Sequence, residues 1–182
     1  PALSNLEVIE PAPLPYVTDY QPPKDKLYNS VCVARISIEK NPQVIIDANL
    51  KLSQDDSIHM YGHANRLFLR FKLSKRYDWD FESASKQTDV IPYYRGVYGH
   101  GEAVSVISKY RYSVDMSYYE GIEGHAQYSM LESFDARIPL VVDARWESVS
   151  DILNGNETCL AASTSDELCD IITGNFAFDS IV

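Results

Sequence analysis

The stretch that decides the fold runs from Val31 to Leu73, VCVARISIEKNPQVIIDANLKLSQDDSIHMYGHANRLFLRFKL. It opens with a run rich in β-branched residues, which is typical of a strand. Asn41 and Pro42 then resemble a helix N-cap followed by proline at the first helical position. Residues 43–53 fit a period-two pattern and also a thinner helical stripe, so strand and helix both stay open there, with strand slightly favoured by the pattern.

The end of this stretch predicts a second strand with a cationic face. From Leu67 to Leu73, leucine and phenylalanine occupy every second position, which indicates a half-buried strand. Two explanations are open for its cations: an edge strand protected by charge, or a contact for an anionic partner such as lipid headgroups or phosphates. The candidate partner-binding residues are Arg66, Arg70, Lys72, Lys75 and Arg76.

Length and composition predict one folded unit. The 182 residues, 45% of them apolar, can bury one core, and we expect a single domain over 27–182 after an extended arm over 1–26. The arm contains six prolines, five of them between residues 11 and 23. Its apolar residues predict docking, either on the chain's own domain or, as we expect, on another copy of the chain: Leu14, Tyr16, Val17 and Tyr20.

Charge is divided unevenly along the chain. Residues 1–114 hold 14 Lys and Arg against 13 Asp and Glu, and residues 115–182 hold 2 against 13. This acidity argues against ordinary nucleic-acid binding. No apolar run reaches the roughly 18 to 20 residues of a membrane span, and the N-terminus does not resemble a signal peptide. We therefore expect a protein that is neither secreted nor membrane-spanning.

The remaining elements predict an α+β fold, an antiparallel β-sheet packed against two or three helices. Residues 104–118 alternate as one long strand with a wet face, 126–131 could return as its hairpin partner, and 138–146 form a further strand. Ser148 could cap a short helix. Thr164 and Glu167 form a capping box. The helix they begin has a buried stripe and a glycine stop, and the chain ends in a short strand; these residues are Leu168, Ile171, Ile172, Gly174 and 175–182.

The sequence offers no recognisable catalytic or metal site. His59 and His63 have H-x-x-x-H spacing, but Gly62 lies between them and no glutamate follows His59. The chain lacks a nucleophile elbow and a glycine-rich phosphate loop, and its three cysteines have no paired spacing. We therefore predict a protein that is not an enzyme and uses no cofactor or metal.

Several short strings resemble the matrix proteins of rhabdoviruses, of the vesiculovirus type, with a distant or plant-infecting member as the expected relative. The matching residues are 34–38, 41–42, 47–52, 57–62, 65–73 and 178–181, together with Pro13-Leu14-Pro15-Tyr16 in the place of a late-budding motif. The family's lysine-rich N-terminus is missing, and Leu14 replaces the second proline of the motif (Pro13, Pro15 and Tyr16 remain).

The resemblance implies a helix over 43–53 and a non-enzymatic structural role. Matrix proteins self-associate, here head to tail through the arm, and bridge the viral nucleoprotein to the inner face of the envelope. An anionic membrane surface would be a peripheral partner. The implied location is the virion beneath the envelope and the host cytoplasm.

Two alternatives remain open. One is a capsid-shell or decoration subunit of a virus. The other is a cytosolic β-rich domain that binds a small ligand or peptide in a tyrosine-lined cleft. Its candidate residues are Tyr93, Tyr94, Tyr98, Tyr110 and Tyr112.

Overall fold

Six short strands form one sheet in which every pair of neighbours is parallel. The computed structural model describes residues 29–80, 88–99, 101–118, 127–148, 153 and 159–174. The strands are β1 (Ser30–Val33), β2 (Ile58–Tyr61), β3 (Tyr94–Gly96), β4 (Ser113–Asp115), β5 (Leu140–Asp143) and β6 (Leu160–Ala162). Their order is β3-β2-β1-β4-β5-β6. The predicted antiparallel α+β fold is therefore wrong: this is a doubly wound α/β sheet.

Helices cover both faces of the sheet. They are α1 (Pro42–Asn49), α2 (Arg66–Phe68), α3 (Ser74–Tyr77), α4 (Ala103–Ile107), α5 (Tyr128–Asp135) and α6 (Ser165–Thr173). A π-helical turn, Leu69–Leu73, joins α2 to α3, and 3₁₀ turns lie at Ile38–Lys40 and Ala144–Ser148. Helices α1 and α6 share one core cluster with the π turn, whereas α4 and α5 pack on the other face.

Burial on both faces explains why the strands lack the alternation of apolar and polar residues by which a strand is recognised in a sequence. All four residues of β1 and all four of β5 are buried. A strand with helices on both sides is apolar at every position and does not alternate. The clean alternation over 104–118 was misleading, because that segment contains helix α4 followed by only three residues of β4. The predicted hairpin return at 126–131 is also wrong, since α5 begins there.

Helix α1 settles the open choice for residues 43–53. Asn41 has a left-handed φ of 44°, and Pro42 follows at the first helical position, where its missing N–H removes no intrahelical hydrogen bond. Ile45 and Ile46 point into the core. The helix that the resemblance implied over 43–53 is thus present as far as Asn49, and the strand favoured by the period-two pattern is wrong.

The basic segment is helical, not a strand. Asn65 caps it by accepting hydrogen bonds from the backbone N–H groups of Leu67 and Phe68, both at 3.1 Å. Leu69 and Leu73 are buried one turn apart, whereas Leu67 and Phe71 are exposed. The apolar residues at every second position therefore lie on different faces of one helical segment, some buried and some exposed.

The prediction for α6 is confirmed. Thr164 and Glu167 form the capping box, and Gly174 ends the helix. Leu168, Ile171 and Ile172 are its buried residues. The arm, its docking residues, the late-budding-like motif and the closing strand at 175–182 lie outside the described residues, as does most of 148–153. Among the helices that the structure describes, none has the length and apolarity needed to cross a bilayer.

A candidate ligand cleft at the switch point of the sheet

The strand order creates a crevice between β1 and β4. These two strands are neighbours in the middle of the sheet. The chain leaves β1 towards α1 on one face and leaves β4 towards α5 on the other. Loops that diverge in this way leave a gap at the carboxyl ends of the strands, which is where doubly wound proteins bind ligands.

A cleft of about 360 Å³ lies in this crevice. The segments after three strands contribute to its walls, which is what the switch-point geometry requires. Its lining residues are Arg35, Ile38, Glu39 and Lys40 after β1, Ser117, Tyr118 and Gln127 after β4, and Trp146 after β5. The volume lies within the range of pockets that hold small molecules.

A small charged network forms the β1 side of the cleft. The Arg35 guanidinium lies 3.1 Å from Glu39 Oε1, and Ser37 Oγ donates to the same oxygen at 2.6 Å. Partial burial alone would raise the pKa of Glu39. The Ser37 hydrogen bond, a backbone hydrogen bond and the charges of Arg35 and Lys40 outweigh that effect and hold its pKa below the usual value. Glu39 is therefore a carboxylate at neutral pH, and it orients Arg35, whose side chain is 69% exposed.

Lys40 spans the crevice. Its Nζ donates to Oε1 of Gln127 at 2.7 Å, and Gln127 directly precedes α5. One hydrogen bond thus connects the loop after β1 to the start of the helix that follows β4. A ligand entering the cleft would meet both side chains.

The opposite wall is aromatic. The Trp146 indole is buried, and its Nε1 donates to the Ser117 carbonyl at 2.6 Å. Tyr118 meets Trp146 edge to face at a centroid distance of 6.1 Å. The Arg145 guanidinium lies 4.0 Å above the Tyr118 ring. This wall therefore has little freedom to move.

Asp115 anchors the loop after β4. Its carboxylate is buried and accepts a hydrogen bond from the Ser117 backbone N–H at 2.9 Å. The hydroxyls of Ser117 and Ser129 also donate to it. Since Ser129 belongs to α5, one buried carboxylate fixes both the loop and the first turn of the helix.

Gly62 allows the loop after β1 to lie close to the loop after β2. Its φ is 139°, and a Cβ at this position would lie 2.1 Å from the carbonyl oxygen of Ala34. Ile36 and Ala64 then form a parallel bridge. Only glycine permits this approach, which helps to hold Arg35 at the cleft.

Several large apolar side chains that follow the strands along the chain are more than half exposed. Ile38 follows β1, Leu67 follows β2, Val97 follows β3 and Tyr128 follows β4. Of these four, Ile38 lines the cleft.

The five predicted partner-binding cations do not line the cleft. All lie on the helical segment from α2 to α3 and are exposed. Arg76 pairs with Asp47 at 2.6 Å. The role of these cations in binding a partner stays a prediction.

The tyrosines proposed as a shared cleft do not come together. Tyr94 and Tyr112 pack in the core on the α1 side of the sheet, whereas Tyr98 and Tyr110 pack on the α4 side. Tyr93 stacks on His59. A sheet separates the two groups, so they cannot line one pocket.

His59 is part of a directed hydrogen-bond chain and is not placed as a metal ligand. Arg95 donates to His59 Nε2 at 2.8 Å, so the neutral ring carries its proton on Nδ1, 3.0 Å from the Tyr110 hydroxyl. Burial and the charge of Arg95 lower its pKa to about 4. Within the described residues, no group of three His, Cys, Asp or Glu side chains converges as a metal site would require.

None of the cleft residues was identified from the sequence. The available signal was a buried strand followed by a short segment with two cations, ARISIEK, before a helix. That signal is weak without knowing that β1 and β4 are neighbours.

No protein-family model matches the chain, and no curated protein matches it. Solved structures do. Anabaena HepE in complex with UDP and glucose is 13% identical with a TM-score of 0.58, and the match covers 80% of this chain and 37% of that one. A mutant of S. aureus TarM in complex with UDP is 16% identical with a TM-score of 0.58, covering 88% and 32%. A mutant of T4 phage BGT in complex with UDP-glucose is 15% identical with a TM-score of 0.56, covering 86% and 41%.

These neighbours are glycosyltransferases of the GT-B type, and at these identities the likeness shows the fold. The chain spans between about a third and two fifths of their lengths. The resemblance to rhabdovirus matrix proteins is therefore wrong, because those of its short strings that the structure describes belong to a fold with a parallel, doubly wound sheet.

The predictions about function are also wrong. They are the non-enzymatic structural role, the capsid alternative, the head-to-tail self-association and the viral nucleoprotein and membrane partners. The finding that overturns them is the likeness to structures solved with UDP or UDP-glucose.

Proposed function

We propose that this chain is the donor-binding domain of a glycosyltransferase that takes its sugar from a nucleoside-diphosphate sugar. The observation that carries the proposal is the position of the cleft. It lies at the switch point of the sheet, and the fold is similar to that of glycosyltransferases solved with UDP. Two of its lining side chains are cations, Arg35 and Lys40.

The two cations suit a diphosphate. Residues 34–41 contain no glycine, so the backbone after β1 cannot approach phosphates as a glycine-rich turn does. Side chains must then supply the positive charge. Arg35 is held by Glu39 and remains largely exposed, and Lys40 is bound to a neutral amide that a phosphate oxygen could replace.

The same cations would assist the transfer. When the bond between the sugar carbon and the phosphate oxygen breaks, the nucleoside diphosphate leaves with additional negative charge. The oxygen of the acceptor hydroxyl forms the new bond to the same sugar carbon, and its proton passes to the departing phosphate or to water. Positive groups fixed beside the leaving phosphate stabilise that charge in the transition state.

The missing glycines also argue against an oxidoreductase. A dinucleotide cofactor at this switch point requires glycines for the tight turn and for close contact with its pyrophosphate. The segment ARISIEKNP supplies neither. Sugar transfer needs only the diphosphate to be held, which side chains can do.

A second protein unit would complete the active site. The chain spans about a third of the length of the TarM structure, and Ile38, which lines the cleft, is 64% exposed. We expect a further domain to lie against this side of the cleft and to bring the acceptor to the donor.

Titration of the chain with UDP and UDP-glucose tests the proposal. Calorimetry should detect both ligands, and Arg35→Gln and Lys40→Gln should each weaken both by about tenfold, since a charge-assisted hydrogen bond contributes about 1.5 kcal/mol. The exposed residues Arg137 and Lys109 provide matched controls, Arg137→Gln and Lys109→Gln, which should bind as the parent does. Absence of binding at millimolar ligand, or equal binding by all four variants, would contradict the proposal.

A further inference from the structure

The aromatic wall of the cleft is held from the side away from the ligand. Arg145 Nε and Nη2 donate to the two oxygens of Asp143 at 2.8 and 2.7 Å, and the Arg145 backbone N–H donates to the same carboxylate at 3.0 Å. Asp143 ends β5 and its side chain is 4% exposed. A bidentate pair with a buried carboxylate fixes the plane of a guanidinium.

That fixed plane covers one face of Tyr118. The guanidinium carbon lies 4.0 Å above the ring centroid, a close cation–π contact. Trp146 meets the same ring edge to face. Because Tyr118 also lines the cleft, its ring can offer a ligand only the surface that Arg145 leaves uncovered.

The groups around this ring match a saccharide better than a nucleobase. Glu39 is an ionised carboxylate and therefore accepts hydrogen bonds only, and Gln127 both donates and accepts. A pyranose presents several hydroxyl donors and an apolar ring face that stacks on an aromatic ring, whereas uracil presents a single N–H.

We propose that Arg145, fixed by Asp143, is a positioning residue that holds Tyr118 as the wall against which the sugar of the donor stacks. The proposal rests on the proposed function and adds to it the residues that make the cleft select the sugar. Asp143 and Arg145 act through Tyr118 and need not touch the ligand.

Comparison of UDP with UDP-glucose on the intact chain tests the proposal. Tyr118→Leu, Arg145→Gln and Asp143→Asn should each weaken UDP-glucose by about three- to tenfold, the value of an aromatic contact, and change UDP by less than about twofold. The affinity of the double variant Arg145→Gln/Asp143→Asn for UDP-glucose should be no lower than the lower of the two single-variant affinities. The reason is that the two residues act as one unit. Arg137→Gln, at an exposed residue that does not line the cleft, should bind as the parent does.

Two results would overturn the proposal. Equal losses for UDP and UDP-glucose would place the ring at the nucleotide, and unchanged binding of UDP-glucose would remove any role for the wall. Thermal unfolding of each variant separates these results from misfolding.

The failure of the proposed function would be seen separately. If the parent binds neither ligand, the cleft is not a donor site. The positioning contact is then still measured without ligand, because Arg145→Gln and Asp143→Asn should shift the same Tyr118 ring-proton resonances, and unshifted resonances would refute the contact.

Discussion

The side-chain amide of Asn49 forms hydrogen bonds with both backbone groups of Ile58. Its Nδ2 donates to the Ile58 carbonyl at 2.9 Å, and its Oδ1 accepts from the Ile58 backbone N–H at 2.8 Å. The last residue of α1 thereby fixes the start of β2. Because Asn49 is buried, water cannot substitute for it.

Asn49→Leu should therefore lower the free energy of unfolding by about 2 to 4 kcal/mol, since it leaves a buried N–H and a buried carbonyl unpaired. Urea unfolding followed by circular dichroism measures the loss. The neighbouring exposed residue provides the control, and Leu50→Ala should change the stability by less than about 0.5 kcal/mol. A loss for Asn49→Leu no larger than the control's would show that Ile58 does not depend on this amide.

Gly62→Ala should destabilise the fold by more than about 3 kcal/mol, because it adds a steric clash to an unfavourable φ. The new Cβ would lie 2.1 Å from the Ala34 carbonyl oxygen. Gly96 offers a matched control, because its φ is also positive, at 97°, but an added Cβ meets nothing within 4 Å. Gly96→Ala should cost only about 1 kcal/mol, and equal midpoints in thermal unfolding would contradict the clash.

Gln127→Leu should lower stability by about 0.5 to 1.5 kcal/mol, the net value of one hydrogen bond. It removes the acceptor of Lys40 Nζ but leaves the lysine itself in the cleft. If a phosphate oxygen of UDP takes the place of the Gln127 amide as the acceptor of Lys40, the affinity for UDP should not fall in this variant. A large loss of UDP affinity in calorimetry would mean that Gln127 itself contacts the nucleotide.

His59 should make stability depend on pH. Burial and Arg95 lower its pKa from 6.5 in the unfolded chain to about 4 in the folded one. Between these values the unfolded chain binds more protons, so the stabilisation is fully present above about pH 6.5 and is lost as the pH falls towards 4.

The measurement is urea unfolding of the parent and His59→Gln from pH 4 to 7. The difference between their free energies of unfolding should shrink as the pH falls. The carboxylates are the same in both proteins, so their contributions cancel in this difference. His63 is exposed, so His63→Gln should follow the parent at every pH. A difference that does not vary with pH would refute the neutral, buried state of His59.

Local signals in the sequence were reliable where one element decides its own structure. The capping box of Thr164 and Glu167 and the stop at Gly174 predicted α6, because those hydrogen bonds form within a few residues. Asn41 and Pro42 likewise marked the start of α1.

Patterns failed where burial depends on partners distant in the sequence. Leu67, Leu69, Phe71 and Leu73 alternate as a strand would, yet they belong to one helical segment. Of these four, Leu69 and Leu73 face the core, whereas Leu67 and Phe71 are exposed. When helices cover both faces of a sheet, its strands are mostly apolar and do not alternate. Periodicity then does not tell whether neighbouring strands run parallel or antiparallel.

The sequence by itself determined both ends of α6, the start of α1, the apolar run of β1 and the uneven charge, because each depends on neighbouring residues. Only the tertiary structure decided that β1 lies beside β4 and that both run in the same direction. The cleft follows from that pairing, since Arg35 and Tyr118 are 83 residues apart in the chain and line one cavity only when the two strands are neighbours. Long-range contacts of this kind depend on packing a whole core, which no local pattern records.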